Sequence, residues 1–227
     1  MRSSRATRAL YSSDGQSEEI VLNKVKIAVL VSGGGTNLQA IIDYAKEGHI
    51  PHGELALVLS DKPGAYALTR ATMNNIPTAV VCKKECASQE EFEEKMITEL
   101  EAHGIEMIVL AGFLCILTEN FVKRYPERII NVHPSLIPAF CGKGYYGLKV
   151  HKAALDYGVK VTGATVHFVN EVPDGGRIIL QKSVMIRKDE TPESLQAHVM
   201  KNAEWVILPR AVEMVAKRIR KGGELEE

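Results

Sequence analysis

From Lys24 onward, short runs of β-branched and aliphatic residues alternate with segments whose apolar positions recur at helical spacing. Val25 to Val31 reads as a buried strand, because a strand covered on both faces is apolar throughout rather than alternating. Thr36-Asn37-Leu38-Gln39 has the Thr-x-x-Gln form of a capping box, and Leu38, Ile41, Ile42 and Ala45 continue it as a helix that Gly48 stops. Leu55 to Leu59 is a second strand, closed by the turn Asp61-Lys62-Pro63-Gly64. A helix over Ala65 to Asn75, a short strand at Thr78 to Val81, and a charged amphipathic helix over Ser88 to His103 follow. Met107 to Leu110 and Ile129 to Val132 complete the series of apolar strands. Repeated strand–helix units of this kind predict an α/β fold, a doubly wound, mainly parallel sheet with helices on both faces.

The last third differs. A Gly/Tyr-rich loop, Phe140 to Gly147, leads into a helix near Lys149 to Tyr157. Strands near Val161 to Val169 and Arg177 to Val184 flank the turn-rich Asn170 to Gly176, which predicts an antiparallel C-terminal portion. Thr191-Pro192-Glu193 opens a terminal helical region with Thr as N-cap and Pro in the first helical position. No internal repeat or linker divides the chain, so residues 24–227 are expected to form one domain. Residues 1–23 are polar and Ser/Arg-rich, then acidic at Glu18-Glu19. They are read as a flexible extension rather than a transit peptide, which Asp14, Glu18 and Glu19 count against.

Composition narrows the partners. With 28 basic and 28 acidic residues in 227, the net charge is +0, which argues against a dedicated nucleic-acid binder. No apolar run approaches the roughly 20 residues of a membrane span. Cys82, Cys86, Cys115 and Cys141 match neither a disulfide framework nor a zinc pattern, so free thiols in a reducing compartment, the cytoplasm, and no metal are expected. Monomer and homodimer both remain open.

Two segments carry candidate chemistry. Ser32-Gly33-Gly34-Gly35-Thr36-Asn37 lies between the first strand and the first helix, where backbone N–H groups favour an anion such as phosphate. It is neither a P-loop nor a Gly-x-Gly-x-x-Gly fingerprint. Asn131-Val132-His133-Pro134-Ser135 lies at a strand's C-terminal end, and strand alternation points Asn131 and His133 the same way. His167, inside a strand, is read as a hydrogen-bonded structural histidine. Asp174 is first a turn former; a functional role requires it near His133, where its charge would raise the imidazole's pKa. Ser135 lacks the Gly-x-Ser-x-Gly context of a hydrolase nucleophile.

Taken in order, Ser32 to Gln39, Ala111-Gly112-Phe113, Asn131 to Pro138, Val166-His167-Phe168 and Asp174-Gly175-Gly176 resemble the phosphoribosylglycinamide formyltransferases over about Lys26 to Pro209. The resemblance implies formyl transfer from the co-substrate 10-formyltetrahydrofolate to the amino group of glycinamide ribonucleotide in de novo purine biosynthesis. It assigns catalysis to Asn131, His133 and Asp174. It places the substrate phosphate on Gly34, Gly35, Thr36 and Asn37. Folate falls against Leu114, Cys115, Ile116 and Leu117 and against Asn170, Glu171, Val172, Pro173 and Asp174. Glu204 is implied to contact the ribonucleotide, although on sequence alone it is a helix-surface charge. Cys115 stands where better-known members have arginine, and no arginine stands near Gln89. The loop 139–147 is longer than the family's usual segment, with Lys143 as a spare cation.

Three alternatives stay open. Formyltetrahydrofolate deformylase shares the Asn/His/Asp core but normally carries an N-terminal regulatory domain, where only a polar tail precedes the first strand here. Methionyl-tRNA formyltransferase carries a C-terminal RNA-binding domain, whereas this sequence ends soon after Arg220. A non-catalytic phosphate-binding module would keep the glycine loop but not depend on His133.

Overall fold

The computed structural model describes residues 24–223 and 225, so the reading of residues 1–23 lies outside the described residues. Seven strands form one sheet: β1 (Val25–Val31), β2 (Gly53–Ser60), β3 (Thr78–Val80), β4 (Met107–Leu110), β5 (Ile129–His133), β6 (Val161–Phe168) and β7 (Ile178–Met185). Their order is β3-β2-β1-β4-β5-β6-β7, parallel from β3 to β5 and antiparallel at β6 and β7. The α/β sheet with an antiparallel C-terminal portion is therefore as expected.

The helices are α1 (Thr36–Lys46), α2 (Tyr66–Met73), α3 (Gln89–Ala102), α4 (Glu119–Arg124), α5 (Leu148–Tyr157), α6 (Pro192–Val199) and α7 (Trp205–Lys221). β1 shows why its sequence is apolar throughout. Ile27, Val29 and Val31 face a core shared with α1, α6 and α7, while Ala28 and Leu30 face a second core under α3 and α4. Both faces are covered, so no position on the strand favours a polar side chain except Lys26 at its start.

Three local expectations change. Thr36 does not cap α1: the cap position is Gly35, in the left-handed region at φ 71, and no side chain caps the helix. Gln39 instead donates to Asp43 and accepts from Arg70. The helix α4 has no counterpart in the sequence reading; it is a six-residue helix capped by Thr118, too short for a periodicity to show. At the C-terminus, α6 and α7 are joined by a π-turn, Met200–Glu204, so the terminal region is one helix with an altered register in its middle. Thr191 behaves as expected, forming a capping box with Ser194, and Pro192 occupies the first turn.

The order of the strands reverses between β1 and β4, the place where open α/β sheets form a crevice beyond their carboxyl ends. The turn after β1 and the segment after β4 are tied across that crevice, as the Leu114 N–H donates to Ser32 Oγ at 2.9 Å. Gly35 is required where it stands. A Cβ there would lie 2.6 Å from Ala67 Cβ of α2, and φ is positive. Gly35→Ala is expected to lower unfolding stability by about 1–3 kcal/mol, read from urea denaturation, through strain and overpacking together.

Candidate active site

A cavity of about 720 Å³ opens beyond the carboxyl ends of β4 and β5, with Asn37 of α1 in its lining. Asn131 and His133 enter it from the end of β5, two positions apart on one strand and therefore on one face. β6 runs antiparallel beside β5, with Asn131 opposite His167 and His133 opposite Thr165. This register brings His167 into the site. Its Nδ1 donates to the Phe168 carbonyl at 2.7 Å, leaving Nε2 to accept from Asn131 Nδ2 at 3.2 Å. The histidine is hydrogen-bonded, as the sequence reading has it, but its other nitrogen holds the Asn131 amide.

Asp174 arrives from the turn after β6 with φ 56. Its Oδ2 lies 3.4 Å from His133 Nδ1 and its Oδ1 lies 3.6 Å from His167 Nε2. The Gly142 N–H donates to the same Oδ2 at 2.8 Å. Asp174 is thus both a turn residue and the carboxylate between two imidazoles. The remaining nitrogen of His133, Nε2, lies 2.9 Å from the Phe140 carbonyl. The backbone of the loop 139–147 therefore holds one atom of each partner, a contact that no sequence pattern announces.

The electrostatics of the pair run in opposite directions. Burial pulls the His133 pKa down; Asp174 and the Phe140 carbonyl push it back up, His167 pulls it down again, and the net direction is downward. This corrects the expectation of a raised imidazole. The carboxylate has the expected sign, but removal from water outweighs it. Burial pushes Asp174 up, while the neighbouring His167 and His133 rings and the Gly142 N–H outweigh it and leave the carboxyl below its usual range.

One wall is apolar. Leu114, Cys115, Ile116 and Leu117 line it after β4, and Asn170, Glu171, Val172 and Pro173 line it after β6. Leu114, Ile116 and Val172 are large apolar side chains left exposed at its lip. Such a surface suits a flat, partly apolar ligand. Cys115 Sγ sits 3.6 Å from Asp61 Oδ2, and burial, then the Asp61 charge, raises its pKa to about 11. The thiol is thus a neutral wall group, with no cationic role.

The opposite wall contains Asn37 and Glu204. Asn37 Nδ2 donates to Glu204 Oε2 at 2.7 Å. Glu204 is 6% exposed, so the expectation of a helix-surface charge is wrong; it stands in the π-turn, where the wider turn rotates it inward. Burial raises its pKa to about 7, with the Asn37 hydrogen bond opposing. Gly34, Gly35 and Thr36 lie outside the lining of this cavity, at the N-terminus of α1. Arg70 of α2 joins them there, donating to the Gly34 carbonyl at 2.8 Å and stacking on Tyr66. It gives the glycine turn a cation that the sequence reading missed. Its only signal was a basic residue in a helix that follows the second strand.

The formyl transferase family model matches residues 25–212. The phosphoribosylglycinamide formyltransferase of Haemophilus influenzae is 41% identical over 187 residues, covering 82% of this chain and 85% of that one. The chain belongs to the formyl transferase family, among the phosphoribosylglycinamide formyltransferases. It is also 41% identical over 220 residues to the trifunctional purine biosynthetic protein adenosine-3 of Gallus gallus, of which it spans only 21%. Against the related insect proteins it spans 14%. The crystal structure of glycinamide ribonucleotide transformylase 1 from Symbiobacterium toebii superposes with a TM-score of 0.82 at 36% identity, covering 90% of this chain and 93% of that one. No helix among the described residues is long and apolar enough to cross a membrane.

The Glu204 carboxyl makes a stability prediction whose sign follows from its shift. Its ordinary pKa of 4.5 applies to the unfolded chain, and about 7 applies to the folded one. Between these values the folded state holds a proton that the unfolded state has released, so stability falls as pH rises through this window. The loss is on the order of 3 kcal/mol. Urea unfolding at pH 5 and pH 8 should show that loss in the native protein and much less of it in Glu204→Gln; parallel curves would remove the buried carboxyl as its source.

Proposed function

We propose that this chain transfers the formyl group of 10-formyltetrahydrofolate to the amino group of glycinamide ribonucleotide. The products are formylglycinamide ribonucleotide and tetrahydrofolate, a step of purine synthesis. The reading is carried by the placement of Asn131, His133 and Asp174 around one cavity, in a chain of this family. The apolar wall after β4 and the turn at residues 170–174 take the folate. Asn37 and Glu204 take the ribonucleotide, and the glycine turn with Arg70 takes its phosphate. That turn suits a phosphate because the first turn of α1 has no side-chain cap, which leaves its N–H groups available to an anion.

The chemistry follows from the groups present. The substrate amine adds to the formyl carbon, and negative charge collects on the formyl oxygen. Asn131 is fixed through one N–H by His167, and its amide has a second N–H to donate to that oxygen. The amine must then lose a proton, and the folate nitrogen must gain one before the carbon–nitrogen bond breaks. His133, kept mainly neutral by burial, accepts the first proton and supplies the second; Asp174 stabilises the imidazolium between these events. For Nε2 to do this the Phe140 carbonyl, to which it donates, must let go of it, and the neutral ring must carry its one proton on Nδ1, toward Asp174; the first change requires the 139–147 loop to move on binding. A ready-made acceptor on this atom keeps the ring in one orientation until then. The protein works in the cytoplasm, as monomer or homodimer, without metal or nucleic acid.

The deciding assay supplies 10-formyltetrahydrofolate with and without glycinamide ribonucleotide. Tetrahydrofolate release only with the ribonucleotide supports the transferase. Release in both tubes with free formate marks a deformylase, and none in either marks a binding module. Asp174→Asn should lower kcat by about 10²–10⁴-fold while retaining ribonucleotide affinity, since the phosphate contacts are untouched. Full turnover in that variant takes Asp174 out of the mechanism.

A further inference from the structure

His151 is a polar residue on the buried face of α5, between Val150 and Ala154. It has no exposed surface, and neither ring nitrogen has a hydrogen-bond partner among the described residues. Buried polar atoms are nearly always paired, because an unpaired one has lost its hydration for nothing. The ring nevertheless lines the large cavity beside His133. Desolvation, reinforced by His133, lowers its pKa to about 4, so the imidazole is neutral at physiological pH and offers one donor and one acceptor.

Its position selects what it meets. α5 packs against α6. From α6 and the π-turn after it, Gln196, Met200 and Glu204 line the same cavity. That is the side given above to the ribonucleotide, across from the apolar folate wall. We propose that His151 is a substrate-binding residue, whose imidazole is completed by the glycinamide arm of the ribonucleotide, directly or through one water molecule. The arm's amide and amine carry both donors and acceptors, so either ring nitrogen finds its complement there. The proposal rests on the formyltransferase reading and adds a residue to it.

A purely structural histidine would behave differently. With both nitrogens unpaired, replacing it by a ring of similar size removes two unsatisfied atoms and should leave the free protein as stable or more so. The test is calorimetric titration of the full chain with glycinamide ribonucleotide and, separately, with tetrahydrofolate, together with the formyl-transfer assay. His151→Phe is expected to weaken the ribonucleotide by about ten- to a hundredfold, the loss of one or two hydrogen bonds. Folate affinity should stay within about threefold, below the smallest loss expected for the ribonucleotide. His151→Asn or His151→Gln, which restore a donor and an acceptor near one ring nitrogen or the other, should recover part of the loss. Ribonucleotide affinity unchanged in His151→Phe would overturn the proposal, as would equal losses for both ligands with a lowered Tm. Should His151→Phe fail to fold, ¹⁵N NMR of the imidazoles in the native protein decides. A His151 resonance that moves on adding ribonucleotide, but not on adding folate, supports the proposal, and one that does not move refutes it. Absence of transfer by the native protein would instead bring down the functional reading itself.

Discussion

The Asp174 carboxylate, held between His133 and His167, is the interaction on which the site depends. One oxygen faces each imidazole, and the Gly142 N–H fixes the oxygen shared with His133. A carboxylate so placed would ordinarily raise the pKa of its partner. Here burial is stronger, and His133 ends below its usual value. In the mechanism proposed above, the compromise serves proton transfer. The ring is mainly neutral when an amine needs a base, yet a charge is in place to receive the imidazolium once it forms.

The fold supplies this arrangement through register. Antiparallel pairing of β5 with β6 sets Asn131 against His167, and the turn that ends β6 returns Asp174 to the same face. Neither strand could supply the site alone. On the other side of the crevice, the Leu114–Ser32 bond links the segment after β4 to the glycine turn after β1, so the wall proposed for folate and the proposed phosphate site share one support. Arg70 adds a second fastening at Gly34. The walls proposed to take the ligands are thus built on strand ends, while the 139–147 loop meets the His133–Asp174 pair through two backbone hydrogen bonds, at Phe140 and Gly142.

Much of this was legible in the residues. Apolar strands such as Val25 to Val31 declare burial on both faces, and Asn131 with His133 declare a common direction, because both signals come from neighbours in the chain. What escaped depends on distant segments or broken periodicity. The left-handed Gly35 takes the cap position, so α1 begins at Thr36 instead of being capped by it. The π-turn at Met200–Glu204 turned a residue that reads as a surface charge into a buried carboxyl. His151 sits on an apolar helix face, where a histidine gives no sequence sign of facing a cavity. The downward shift of His133 follows from how deeply the ring is covered, which no local pattern records.

The most direct measurement of the central interaction is an NMR titration of the His133 imidazole in the native protein and in Asp174→Asn. Since the carboxylate pushes upward against burial, its removal should move the His133 pKa further down while the fold is retained. A His133 pKa that is unchanged or raised in the variant would contradict this, because the carboxylate would then not be acting on the ring.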